Sequence, residues 1–89
     1  PGRAAVRRGD ELLGVYTVDV SPASIGFCCP MQLFPKEIVT IFSDELEEME
    51  VSVARCRRIK EGCYACGARF VAGVMGPAAY SELLRQLSS

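Results

Sequence analysis

This sequence predicts an all-β fold: a small antiparallel six-stranded β-barrel with one C-terminal α-helix. Three observations point there. Short segments of alternating or β-branched residues follow one another along most of the chain, separated by Gly, Pro, Asp and Ser turn signals. The connections are short, as in hairpins. The last stretch alone switches to the 3.6-residue spacing of a helix. Closing such a sheet into a barrel removes its exposed edges, and a terminal helix would cover an open end.

The elements are read in order. Ala4-Ala5-Val6-Arg7-Arg8 is a short first strand, and Gly9-Asp10 is a hairpin turn signal. Leu12 to Val20 is the second strand, with Val15, Thr17 and Asp19 on one face and Tyr16, Val18 and Val20 on the other. Ser24 to Cys29 is the third, stopped by Pro30. Met31 to Pro35 connects it to a β-branched strand from Lys36 to Phe42. The acidic run from Ser43 to Glu50 reads as a solvated connection. Val51 to Lys60 and Cys63 to Ala72 form a hairpin about Glu61-Gly62. Its second arm alternates Tyr64, Cys66, Ala68 and Phe70 against Cys63, Ala65, Gly67 and Arg69, the pattern of a half-buried strand. After Gly76-Pro77, apolar residues at Tyr80, Leu83, Leu84 and Leu87 mark an amphipathic helix.

The 89 residues suffice for a single domain, residues 1–89, with a modest core. The chain opens on Pro, as expected of a piece of a longer protein, so parts of its site are expected outside it. A net charge of −1 supplies no basic field for nucleic acid. Apolar runs stop short of a membrane span, and the start lacks a signal-peptide pattern. Without any His, imidazole metal ligands and His general bases are excluded, and no enzyme activity or cofactor is expected.

Five Cys is an odd number, unlike the paired sets of secreted scaffolds, so free thiols and a cytoplasmic location are expected. Cys63-Tyr64-Ala65-Cys66 is a C-x-x-C, but in a strand residues three apart face opposite sides, and no second C-x-x-C completes a zinc tetrahedron. A redox motif needs a helix N-terminus, which is missing here. The thiols are therefore read as core residues, with Cys28, Cys56 and Cys66 as its members.

The most informative stretch is Asp19-Val20-Ser21-Pro22-Ala23-Ser24-Ile25-Gly26-Phe27, a strand that turns sharply into another strand. Short polar side chains bond to nearby backbone there, and Pro fixes φ. Asp and Ser at such a corner also offer carboxylate, hydroxyl and backbone N–H groups at one spot on a sheet rim. The stretch resembles the D/N-x-S-x-x-G signature of PilZ domains, a bacterial family of small β-barrels, many of which bind the second messenger cyclic di-GMP. Asp19 and Ser21 match, while Ser24 stands where the family usually has Gly and Gly26 follows two residues on. Arg3-Ala4-Ala5-Val6-Arg7 fits the family's R-x-x-x-R element, with Arg8 beside it. Val53-Ala54-Arg55-Cys56-Arg57-Arg58-Ile59 followed by Glu61 to Phe70, ending in Gly67-Ala68-Arg69-Phe70, is similar to its penultimate hairpin with Gly-x-x-Phe.

The resemblance implies a non-catalytic cyclic di-GMP receptor with Arg3, Arg7, Arg8, Asp19, Ser21, Ser24 and Gly26 as ligand-binding residues, coupled to a protein partner or output domain. Arginine suits this work because its planar fork pairs bidentately with guanine O6/N7 or phosphate. Other readings stay open at each position. Arg3, Arg7 and Arg8 equally suit a solvated edge strand, and Asp19 with Ser21 equally suits a structural corner. Alternation places Arg55 and Arg57 on one face and Arg58 and Lys60 on the other, unless a bulge intervenes. A PilZ-like adaptor that binds no nucleotide and acts through protein contacts is the alternative function, and a zinc or thiol-redox module is a third.

Overall fold

Each strand carries an apolar stripe on one face, and burying all the stripes together requires the sheet to curl around them. The computed structural model describes residues 2–43 and 47–72, together with residues 81, 84 and 85. It has six strands: β1 (Arg3–Arg8), β2 (Glu11–Val20), β3 (Ser24–Cys29), β4 (Ile38–Phe42), β5 (Met49–Lys60) and β6 (Cys63–Phe70). All pairings are antiparallel, in the order β1-β2-β3-β6-β5-β4, and β1 pairs with β4 to close the barrel. The helix expected from about Pro77 lies outside the described residues, which in that stretch are only Ser81, Leu84 and Arg85. Asp44, Glu45 and Leu46 of the acidic run also lie outside them.

The interior is filled by alternate residues of every strand, including Val6, Leu13, Val15, Ile25, Phe27, Cys29, Val39, Ile41, Val51, Val53, Cys66, Ala68 and Phe70. The alternation expected for Cys63 to Phe70 holds, with Cys66, Ala68 and Phe70 buried. One thiol is reassigned. Ile25 and Phe27 set the inward phase of β3, so Cys29 enters the core and Cys28 lies on the outer face. All five cysteines are free thiols, and Cys56 Sγ lies 3.2 Å from Cys66 Sγ. The hydrogen bond with Cys29 and burial push the Cys66 thiol well above its usual range, so it stays protonated.

Among the described residues, Thr17 is the buried polar one. Its hydroxyl donates to the Gly2 carbonyl and accepts from the Gly2 N–H, both at 2.8 Å, which satisfies the group and pins the chain ahead of β1.

The connection from β3 to β4 cannot be a hairpin, because those strands are not neighbours in the barrel. It crosses the end opposite the β2–β3 turn, where the fully buried Leu33 plugs the opening and its N–H donates to Cys56 Sγ at 3.4 Å. Phe34 to Glu37 then forms a turn closed by the Glu37 N–H to the Phe34 carbonyl at 3.0 Å. Pro35 sits at its second position and Lys36, with φ 70°, at its third, the pattern of a type II turn. Lys36 is therefore a turn residue, and β4 starts at Ile38 rather than at Lys36.

Arg8 anchors this crossing. Its Nε donates to Glu37 Oε2 at 2.5 Å, its Nη1 reaches the Gln32 carbonyl at 3.5 Å, and its guanidinium lies 5.6 Å from the Phe34 ring centroid. Glu37 accepts the Phe34 N–H at 3.0 Å through its other oxygen.

Two stability outcomes are expected. Phe27→Ala empties the middle of the barrel and lowers the unfolding free energy by about 3–5 kcal/mol in urea denaturation. Arg8→Met strands a half-buried Glu37 carboxylate and releases the plug, lowering stability by about 2 kcal/mol in the same measurement.

Candidate functional site

A strand with strict alternation would send Asp19 into the core, since it shares parity with Val15 and Thr17, which are both buried. The structure avoids this with a β-bulge. Thr17 pairs with Phe27 but Asp19 pairs with Gly26, so Val18 and Asp19 together oppose one residue of β3. The extra residue inverts the phase. Asp19 is exposed, and Val20 packs against the core instead. The shared face expected for Val15, Thr17 and Asp19 is thus broken after Thr17.

β5 repeats the device. Val53 pairs with Ala68 but Arg55 pairs with Gly67, so Ala54 and Arg55 oppose one residue of β6. Arg55, of the same parity as the buried Val51 and Val53, is exposed, and Cys56 packs against the core. Arg57 follows Arg55 on the outer face.

The two bulges are aligned. Gly26 pairs with Gly67, so one row runs Asp19–Gly26–Gly67–Arg55 across β2, β3, β6 and β5. Its length is three strand spacings, about 14 Å along the sheet. Gly26 is required by what lies over it, whereas a β-carbon at Gly67 would come only into ordinary contact with Arg55. A Cβ at Gly26 would collide with the Asp19 carboxylate, and one at Gly67 would stand 3.4 Å from Arg55 Nε. The side chains at the ends of the row thus lean inward over a floor of bare backbone.

This row lies in a groove of about 660 Å³ on the barrel wall, lined also by Ser24, Ala65, Arg57 and Arg69. Arg69 is exposed and belongs to the next row toward the β2–β3 turn, paired with Ser24 and Ser52. Arg57 belongs to the next row the other way, paired with Ala65. Among the described residues, none of Arg55, Arg57 and Arg69 forms an ion pair.

Of the residues singled out in the sequence, Asp19, Ser24 and Gly26 come together in this groove. Ser21 stays at its edge in the turn. Its Oγ lies 2.7 Å from Ser24 Oγ and accepts the Ser24 N–H at 3.1 Å, and its own N–H donates to the Ser24 carbonyl at 2.8 Å. The two serines thereby close the β2–β3 corner. Ser24 does not occupy the left-handed region, so the serine is unstrained there.

The β1 arginines lie elsewhere. Arg3, opposite Tyr16, borders a second cavity of about 370 Å³ with Tyr16, Cys28 and Cys63. Arg7 pairs with Leu12, seven residues before Asp19 along β2 and so about 23 Å away. It donates to both Glu48 oxygens, at 3.2 and 3.0 Å, and lies 5.4 Å from the Phe42 ring centroid. Arg8 holds the plug. Sequence reasoning passed over Arg69 as a site residue and left Arg55 and Arg57 undecided. A glycine at the matching position of each paired strand was the available signal.

No family model matches the chain, and no curated protein or solved structure matches it either. Among the described residues, no group of three or more Cys, Asp or Glu is arranged to hold a metal ion, and no helix is long and apolar enough to cross a membrane.

The Arg7–Glu48 pair has a checkable pH signature. The hydrogen bond from Arg7 and its charge hold the Glu48 carboxyl below its ordinary value of 4.5. A depressed folded-state pKa means that the contribution is complete above that value and is lost as pH falls through the lower one. NMR titration should show Glu48 titrating lower than a free Glu, and Arg7→Ala should return it to the ordinary range.

Proposed function

We propose that this chain is a PilZ-type receptor module that binds cyclic di-GMP in the β2-β3-β6-β5 groove and performs no catalysis. The observation that carries this reading is the row Asp19–Gly26–Gly67–Arg55. A guanine presents two N–H donors on its Watson–Crick edge, which a carboxylate accepts, and two acceptors, O6 and N7, which an arginine fork matches. The two glycines let the Asp19 carboxylate and the Arg55 side chain fold over the sheet, which brings acceptor and donor groups closer together than the strand spacing alone would.

The resemblance of the Asp19 turn and of the Gly67-Ala68-Arg69-Phe70 segment to the PilZ pattern adds to this reading. The reading is also supported by the outward-facing Asp19 and by a Ser24 free of backbone strain. The five free thiols fit a cytoplasmic receptor. Ligand binding would order segments beside the groove and pass the signal to a protein partner or output domain.

Calorimetric titration with cyclic di-GMP tests the reading. The wild-type chain is expected to bind. Asp19→Ala is expected to weaken binding at least about tenfold by removing a charge-assisted acceptor. Gly26→Val is expected to weaken binding by displacing the Asp19 carboxylate from the space that the added β-carbon would take, with circular dichroism verifying that the variant is folded. Undiminished affinity in both variants would refute the reading. Absence of heat with the wild type would favour the adaptor function instead.

A further inference from the structure

We propose that Arg57 and Arg69, flanking Arg55 on the β5–β6 hairpin, hold the phosphates of the ligand, in the role that the resemblance gives to Arg3, Arg7 and Arg8. The inference rests on the groove being the ligand site. It goes further in assigning the charge-bearing contacts to a hairpin on the far wall.

Charge distribution is the first ground. Among the described residues, the groove lining carries three arginines against one carboxylate, Asp19, although the whole chain has a net charge of −1. The local excess is therefore not a reflection of a basic protein. Acidic residues are spent on the other arginines: Glu48 takes Arg7, and Glu37 and Glu11 take Arg8. No described carboxylate neutralises the hairpin set. Guanidinium groups that line one groove and have no carboxylate partner among the described residues form a site for a diffuse anion such as a phosphodiester.

Register is the second ground. Arg57 and Arg69 lie on the rows immediately to either side of the Gly26–Gly67 level, each about 7 Å along the strand direction from it. A ligand seated in the groove at this level would have Arg69 on one side along the strand direction and Arg57 on the other. The bulge at Ala54–Arg55 makes this possible, because it brings Arg55 and Arg57 outward together. A dianionic cyclic dinucleotide matches this cradle in charge and in flatness. Arg7 is separated from the floor by most of the length of β2 and is occupied by Glu48.

The experiment is calorimetric titration of the wild type, Arg57→Ala, Arg69→Ala, the double variant, Arg58→Ala and Arg7→Ala. Arg58 is the control: an exposed arginine on the same hairpin that does not line the groove. Each ligand is run separately, cyclic di-GMP and cyclic di-AMP, which share the diester ring but differ in base. Circular dichroism verifies that each variant is folded.

Arg57→Ala and Arg69→Ala are expected to weaken cyclic di-GMP binding about tenfold each or more, and the double variant about a hundredfold. Arg58→Ala and Arg7→Ala are expected to stay within about twofold, because neither side chain faces the ring. A double variant that binds like the wild type overturns the cradle. So does a loss in Arg7→Ala or Arg58→Ala as large as that in Arg57→Ala. Binding of cyclic di-GMP that depends on Asp19 but on no hairpin arginine leaves the receptor reading standing and removes the cradle. Binding of cyclic di-AMP alone, with arginine dependence, keeps the cradle and refutes the guanine reading. A wild type that binds neither compound at about 1 mM overturns both.

Discussion

Two aligned single-residue insertions, one in β2 and the first of two in β5, set the chemistry of this barrel wall. Side chains on a strand alternate with a period of two, so one extra residue exchanges the inner and outer sets beyond it. Without the bulges, Asp19 and Arg55 would follow Thr17 and Val53 inward, and Val20 and Cys56 would face water. Burying an unpaired carboxylate and a guanidinium in so small a core is prohibitive. Each bulge faces one of two paired glycines, and the space they leave receives the side chains that the bulges release.

The same barrel treats its two sets of arginines differently. At the end crossed by the β3–β4 connection, Arg8 and Glu37 hold a turn in place while Leu33 fills the opening. Arg7 is clamped by Glu48 across the β1–β4 side. These contacts are structural and use the nearby carboxylates. The β5–β6 arginines stand on a wall where Asp19 is the single acidic lining residue among the described residues, three strands away from Arg55. A near-neutral chain thereby carries one locally cationic groove.

Much of the fold was legible from local pattern. The alternation of Cys63 to Phe70, the hairpin about Glu61-Gly62 and the strand from Ser24 to Cys29 all appear where residue period and turn chemistry place them. Lys36 was misread as strand because β-branched neighbours mask a turn defined by Pro35 and a positive φ. Cys28 and Cys29 were interchanged because adjacent cysteines carry no phase of their own, which Ile25 and Phe27 supply. Of the candidate site, Asp19, Ser24 and Gly26 were legible from the turn, and the arginines across from them were not.

The sequence by itself determined most strands, the tight turns and a polar Asp–Ser corner, because all of these depend on residues near one another in the chain. Only the tertiary structure decided which arginines face that corner. Arg3, Arg7 and Arg8 are closer to Asp19 in the chain, yet Arg55 shares its row. The physical reason is that hydrogen-bond register between strands distant in sequence, shifted by one residue at each bulge, selects the partners across a sheet. That register is a collective property of the closed barrel.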